Sequence, residues 1–421
     1  MCFPVGELMA RDFRVILVGH ALSPYRGSEP GNTWNWAWHL SHHLPVDLVA
    51  FPQYREEVEA FLAQHPNPRL RVYWVTLSGW DPWDPARGER GIRIHYLLWL
   101  GKAYRLVKNL ASEYRSPVLA HHVSWGTVSA PPLPSPGFPL VWGPVGGGQK
   151  APRAFRALFG RDWPKEALRS LRVASLPWWP GWRSKVAGVS LALATNRETL
   201  ELLRRGGARR TELFLDSGLP PGFGLGAPPH APREPGPLRL LWAGRFEPRK
   251  ALPLALRALR WVRAPVELWV AGGGPLEGLW QEEARRLGLE DRVRFLGRLP
   301  WEKMREAFLG AHAFVFTSLR DSFGNVVLEA MAHGLPVVTL DHQGVGTFLP
   351  EAAAIKVPVT TPEDTVRLLA KAIDQLAADE ALRLRMAQAA WRFAQAERWD
   401  RRAERMLALY EEVLSHAHRR V

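Results

Sequence analysis

Cysteine is all but absent from this 421-residue chain, which holds a single one, Cys2. A lone thiol excludes an internal disulfide and any cysteine-built structural zinc site. It also agrees with a reducing cytoplasm, the expected location. Long apolar runs are missing too. None approaches the ~18 residues that a membrane span needs, and no basic stretch leads into an apolar one at the N-terminus, so no signal peptide is read. Lysine is scarce, nine against forty-six arginines. These cations are spread along the whole chain rather than clustered, which argues against a nucleic-acid-binding protein. The net charge of +14 still favours anionic partners such as phosphorylated small molecules or an acidic membrane surface.

What is present is an ordinary folding composition, 47% hydrophobic and 23% charged. The length exceeds one compact core, so two domains are expected. Short β-branched runs alternate with helical patterns, which predicts parallel sheets covered by helices on both faces. In the first half, strands are read near 13–19, 46–51, 71–76, 117–121, 139–142 and 190–194. Helices are read near 31–43, 54–64, 92–114, 151–159 and 196–205. The Pro- and Gly-dense segment 218–237 reads as a linker. Beyond it the alternation restarts, with strands at 238–244, 266–272, 293–297, 313–318 and 335–340. The fold class is therefore α/β, with two doubly wound, Rossmann-like domains, at 1–217 and 238–395. The last sixty residues are helical by pattern.

The stretch "DSFGNVVLEAMAHGLPVV" (321–338) follows a strand and opens a helix near Gly324 and Asn325. A strand-to-helix turn in such a sheet faces the crevice where ligands bind. The free N–H groups of Phe323, Gly324, Asn325 and Val326 would suit an anion such as phosphate. Asp321 precedes the helix and Glu329 lies about one turn inside it, roughly 6 Å along the axis. Both carboxylates can border one crevice and accept hydrogen bonds from sugar hydroxyls. An acidic cap and a solvated glutamate are the plain alternative. In "LLWAGRFEPRKAL" (240–252), Arg245 and Lys250 stand in the loop after the first strand of that domain. There they could clamp a diphosphate, or be solvated cations.

Together these two stretches resemble the GR-x4-K-G and E-x7-E elements of retaining glycosyltransferase family 4, of GT-B architecture. "SPYRGSEPGNTWNWA" (23–37) and "VWGPVGGGQKAP" (141–152) are similar to first-domain loops of one branch of it. The resemblance implies an acceptor-binding first domain, a nucleotide-sugar-binding second domain, and a final helix, 396–421, crossing back to the first. It implies that Arg245 and Lys250 neutralise the leaving diphosphate and that Glu329 binds the ribose. Ser322, Phe323, Gly324, Asn325 and Val326 would contact sugar and phosphate, with Arg298 in the same donor set. Asp321 takes the place of the family's first Glu and is one methylene shorter, which leaves the sugar open. Gly27 and Ser28 stand where the family carries a Gly pair near the phosphates, and Ser28 could also cap the following helix. Tyr25 and the loop Gly146, Gly147, Gly148 would line the cleft. A histidine beside the donor sugar is implied in "VLAHHVSWG" (118–126). Alternation along a strand lets one of His121 and His122 reach it, and His121 is preferred.

The expected function is transfer of a sugar, with retention, from a nucleotide-diphosphate sugar to an acceptor in glycolipid, envelope polysaccharide or small glycoside synthesis. No Asp-x-Asp stands where a metal–diphosphate site would need it, so neither metal nor other cofactor is expected. The basic, Trp-rich region 168–185 could dock on the inner face of an anionic membrane, or could equally cap the core. A nicotinamide enzyme is disfavoured, because no G-x-G-x-x-G follows a first strand. A non-catalytic sugar-nucleotide-binding relative and a membrane-surface binding protein remain as rivals.

Overall fold

The computed structural model describes residues 13–84, 88–135 and 137–418. Cys2 and the outermost parts of the ranges 1–217 and 396–421 lie outside these residues.

The first half runs β1 (Arg14–Val18), α1 (Ser28–Ser41), β2 (Val46–Ala50), α2 (Arg55–Gln64), β3 (Leu70–Trp74), α3 (Ile92–Glu113), β4 (Val118–His122) and β5 (Leu140–Val145). It continues through α4 (Arg156–Phe159), α5 (Trp163–Ser175), α6 (Pro180–Ala187), β6 (Leu191–Ala194), α7 (Arg197–Arg205) and β7 (Thr211–Leu213). All seven strands are parallel, in the order β3-β2-β1-β4-β5-β6-β7. Residues 218–237 hold no helix or strand.

The second half opens with β8 (Leu238–Arg245), α8 (Leu252–Leu259), β9 (Val266–Gly273), α9 (Glu277–Arg286), β10 (Val293–Gly297), α10 (Trp301–Gly310), β11 (Ala313–Phe316) and α11 (Asn325–Ala332). Then come β12 (Val337–Leu340), α12 (Gln343–Phe348), β13 (Ala354–Val357), α13 (Pro362–Ala378), α14 (Glu380–Ala396) and α15 (Trp399–His418). Its six parallel strands follow the order β10-β9-β8-β11-β12-β13.

Sheets buried on both faces explain the nearly continuous apolar runs of the strands. Val15 and Leu17 of β1 face one core with Trp36 and Leu40 of α1, while Ile16 and Val18 face another with Tyr96, Trp99 and Val107 of α3. The apolar positions of α3 recur three and four residues apart, which is why that segment is a helix. Helix α15 shows the same spacing at Trp399, Ala403, Met406, Leu407 and Tyr410. These side chains enter the first sheet's core beside α1, not the second's. In the other direction, Ala151, Phe155 and Phe159 leave the first half and join the core of the second.

Two short edge strands, β7 and β13, were not read from the sequence, nor were α5 and α6. Within 168–185, Val173, Leu176 and Trp182 pack into the core shared with α3, whereas Leu168, Leu171, Trp178 and Trp179 stay exposed.

Candidate functional site

Strand order reverses between β1 and β4 in one sheet and between β8 and β11 in the other. At such points the loops leaving the carboxyl ends diverge and open a crevice. Segments following β5 and β7 of the first sheet, and α5, lie against the β11–α11 turn and the start of α12 in the second. A Cβ on Gly146 would stand 3.2 Å from Ser322 Cβ of the turn between β11 and α11. The Ser217 hydroxyl donates to Asn325 Oδ1, Arg320 Nε donates to Glu166 Oε2 at 2.8 Å, and Gln343 Nε2 reaches the Lys150 carbonyl at 3.1 Å.

On the second-domain wall, Lys250 makes an ion pair with Asp321, and Arg249 Nη1 lies 3.6 Å from the same carboxylate oxygen. Asp321 is thus tied to cations rather than directed freely at a sugar. Gln343 Oε1 accepts from its N–H at 2.7 Å, and Gln343 Nε2 donates to the Leu319 carbonyl at 2.9 Å, which fixes the turn. Gly324 adopts φ of +100°, and a Cβ there would lie 2.8 Å from the Phe316 ring, so glycine is required for the approach to α11. Phe323 is buried, while the N–H groups of Phe323, Gly324 and Asn325 find no protein acceptor among the described residues.

Glu329 sits one turn into α11, and its carboxylate has no hydrogen-bond partner among the described residues. Burial alone pushes its pKa up to about 7. Arg245, at the end of β8, is 73% exposed and pairs with Glu247 at 3.0 Å. The Arg298 side chain crosses Gly273 at the end of β9, where a Cβ would meet Nε at 3.0 Å. Lys250 and Asp321 therefore stand together ahead of α11, with Glu329 one turn into that helix, while Arg245 pairs with Glu247 and Arg298 lies over the end of β9.

On the first-domain wall a cavity of about 360 Å³ opens beside the ends of β4 and β5. Helix α1 supplies Ser28, Glu29, Asn32 and Trp36, the loop after β4 supplies Trp125 and Thr127, and Asp216 closes the side next to the second domain. Asp216 is hydrogen bonded by the hydroxyls of Ser322 and Ser217, and burial still raises its pKa. Glu29 is held by Ser124 and the Gly126 backbone, and burial pushes its pKa up to about 7. Its Oε1 is buried without a partner among the described residues.

Several expectations need correction. Both His121 and His122 are fully buried, and neither lines the cavity. The His121 ring is held between the Tyr410 hydroxyl at 2.5 Å and the Gly143 carbonyl at 2.6 Å. His122 faces the other way, 3.0 Å from the Tyr96 hydroxyl. Alternation sends the two to opposite faces as expected, but helices cover both faces of β4, so residues beyond its end meet the cavity instead. Burial lowers their pKa values to about 4 for His121 and about 3 for His122, so both are neutral near pH 7.

Ser28 does not cap α1. Gly27 occupies the cap position with no side-chain bond, and Ser28 takes φ of +59° as the first helical residue. Of the three loop glycines only Gly147 has positive φ, at +99°. Gly148 is needed for closeness, since a Cβ would stand 2.6 Å from Thr199 Cα. Tyr25 is exposed, with its ring edge against Phe61. Glu29, Asp216, Arg249 and Gln343 were not singled out from the sequence. Glu29 lies inside a quoted stretch, but nothing local marks Asp216.

Two Rossmann-like domains closing on a crevice formed at their strand reversals constitute the GT-B fold. Solved structures share it. Sucrose-phosphate synthase from Thermosynechococcus elongatus superposes with a TM-score of 0.61 at 19% identity, over 96% of this chain and 99% of that one. HepE of Anabaena in complex with UDP and glucose gives 0.58 at 16% identity, over 95% and 99%. Residues 229–393 match the family model described as glycosyl transferases group 1. The lipopolysaccharide core biosynthesis glycosyltransferase LpsE of Rhizobium meliloti (strain 1021) is 35% identical over 148 residues, 34% of this chain and 41% of that protein. The D-inositol 3-phosphate glycosyltransferase of Streptomyces bingchenggensis (strain BCW-1) is 30% identical over 203 residues, 45% and 42% of the two chains. By these matches the second half of the chain is similar to glycosyl transferases group 1, and the whole chain shares the GT-B fold. The chain spans about two fifths of the length of these two curated relatives.

Proposed function

We propose that this protein transfers a sugar from a nucleotide-diphosphate sugar to an acceptor hydroxyl with retention at the anomeric carbon. The observation that supports the reading is Lys250 paired with Asp321 ahead of a helix whose first N–H groups, at residues 323–325, have no acceptor among the described residues and whose Glu329, one turn in, has no partner among them. The cation and the amide dipoles suit a diphosphate, and the carboxylate suits the ribose hydroxyls. As the bond from anomeric carbon to phosphate oxygen breaks, negative charge grows on the leaving diphosphate. Lys250 and the α11 N–H groups are already in place to meet it, with Arg245 on the rim free to swing in. The acceptor oxygen bonds to the same face, and its proton passes to the departing phosphate oxygen. These cations do the charge work here that a metal would do elsewhere, so the reading needs none.

A donor such as a UDP-sugar is supported by the complex of HepE with UDP and glucose, and an envelope or glycolipid acceptor by the name of LpsE. Attachment to an anionic membrane is supported by exposed Leu168, Leu171, Trp178 and Trp179 beside Lys165, Arg172 and Arg183. Because Asp321 is held by Lys250 and Arg249, a protein that binds the donor without transferring it is the second reading. Product formation separates the two.

Calorimetric titration with UDP-, GDP- and ADP-sugars is the test. One of them should bind, and Lys250→Ala should weaken it by about tenfold or more, the scale of one charged hydrogen bond. A chain that binds none of them, or that is indifferent to Lys250→Ala, would sink the proposal.

A further inference from the structure

The cations offered to a diphosphate are already paired within the chain. In "RFEPRK" (245–250) acid and base alternate, and a short turn at Pro248–Lys250 is closed by the Lys250 N–H, which donates to the Glu247 carbonyl at 3.0 Å. The Arg249 carbonyl accepts from the Leu319 N–H at 2.7 Å, which docks this turn on the segment leading to Asp321. Charges of alternating sign therefore stand in one row. Arg245 Nε lies 3.0 Å from Glu247 Oε1, and Arg249 Nε donates to Glu247 Oε2 at 3.0 Å. Arg249 Nη1 lies 3.6 Å from Asp321 Oδ2, and Lys250 pairs with that same oxygen. Three cations against two carboxylates leave the row with a net charge of +1.

Shelter is graded along it. The Arg245 side chain is 73% exposed, whereas Lys250 and Asp321 at the other end are 13% and 18% exposed. Water and salt screen the outer pair far more than the inner one. Asp321 is fixed further, since Oδ1 accepts from the Ser322 N–H at 3.2 Å and Oδ2 stands 3.4 Å from the Ser318 hydroxyl. An anion arriving at Lys250 thus finds a carboxylate in its place. It must displace that carboxylate or settle beside a like charge, and either course lowers its affinity.

We infer that Glu247 and Asp321 are internal counter-ions that hold Arg245, Arg249 and Lys250 paired until a diphosphate displaces them. Arg249 is the positioning residue, shared by both carboxylates, that keeps each from closing wholly on its outer cation. The inference rests on the donor reading above for the diphosphate. It turns the usual expectation for a site carboxylate around, because neutralising Asp321 or Glu247 strengthens nucleotide binding instead of weakening it.

The experiment is calorimetry on the full chain with UDP and with inorganic diphosphate, in the parent and in variants that keep its circular dichroism. Asp321→Asn and Glu247→Gln should each bind both probes about threefold to tenfold more tightly. Glu247 stands nearer the solvent end, so its variant carries the test if Asp321→Asn fails to fold. Arg249→Met should bind both probes more weakly by about the same factor. In that background Asp321→Asn should tighten UDP more than it does in the parent, since Asp321 then bears on Lys250 alone. A row that served structure only would lose stability in these variants with no gain in affinity. Unchanged or weaker binding in either carboxylate variant overturns the inference, and a loss caused by Lys250→Ala in the same series then leaves the donor reading standing. If neither probe binds the parent or any variant, both fall. Binding that emerges only after a carboxylate is neutralised supports the inference.

Discussion

Glu329 places a titration within the physiological range. Burial lifts its pKa from 4.5 to about 7, so near neutrality it is only part ionised. Its ionised form offers two acceptor oxygens to ribose hydroxyls, and its protonated form offers one fewer. Affinity for whichever nucleotide sugar binds should therefore rise by up to about tenfold from about pH 6 to about pH 8. Glu329→Gln should bind more weakly, with a flat profile, as read by calorimetry across that range. A profile equally steep in the variant would remove Glu329 from the donor site. The sign for stability is opposite. A carboxyl that holds its proton more tightly folded than unfolded adds stability below its unfolded value. That contribution is lost as pH rises from about 4.5 to about 7. At this scale the placing of Asp321 and Glu329 about one turn and one helix was legible, because their spacing is local, whereas the pairing of Lys250 with Asp321 joins residues 71 positions apart. Asp216 was not, since its meaning comes from meeting Glu29, 187 positions earlier in the chain.

Elements carry the glycine argument. The loop after β5 sits where it does because Gly148 lets it touch Thr199 and Gly146 lets it touch Ser322. Gly148→Ala would drive a Cβ into backbone that cannot yield, and overpacking of this kind costs about 1–3 kcal/mol. Gly27→Ala is the contrast, with φ of −80° and nothing within 4 Å of a Cβ. It should lie within about 0.5 kcal/mol of the parent. Urea denaturation of the two variants checks both, and equal midpoints would refute the packing account. Element by element, the strands that both sheets bury were readable as apolar runs. Thr211–Leu213 was missed because it is a half-exposed edge of three residues, and Ala354–Val357 because Lys356 interrupts its pattern. The His121–His122 pair shows the limit of strand alternation. It says which side of the sheet a residue faces, not which helix lies over that side.

For the whole molecule, surface chemistry decides where the protein would work. Exposed Leu168, Leu171, Trp178 and Trp179 with neighbouring cations fit an anionic bilayer, where each basic side chain near the surface adds about 1 kcal/mol. Among the described residues no helix is long and apolar enough to cross a membrane. Vesicles rich in acidic phospholipid should therefore sediment the protein at low salt and release it at high salt, and Trp178→Ser with Trp179→Ser should weaken capture several-fold. Equal recovery in the supernatant with acidic and neutral vesicles would dismiss the idea. The two-domain plan was legible because the alternation stops at 218 and restarts at 238. The closure between domains was not, since it depends on pairs such as Arg320 with Glu166 that no local pattern announces.

Helix α15 has a bearing on how the chain acquires its shape. Tyr410 holds His121 across 289 positions, and Trp399, Met406 and Leu407 complete a core that includes Phe13 and Val15. The core of the first half is thus finished by a segment that follows the whole second sheet, and a fragment ending at the linker would leave Trp36 and Phe214 open to water. Separating the halves into autonomous pieces would require carrying the tail along with the head.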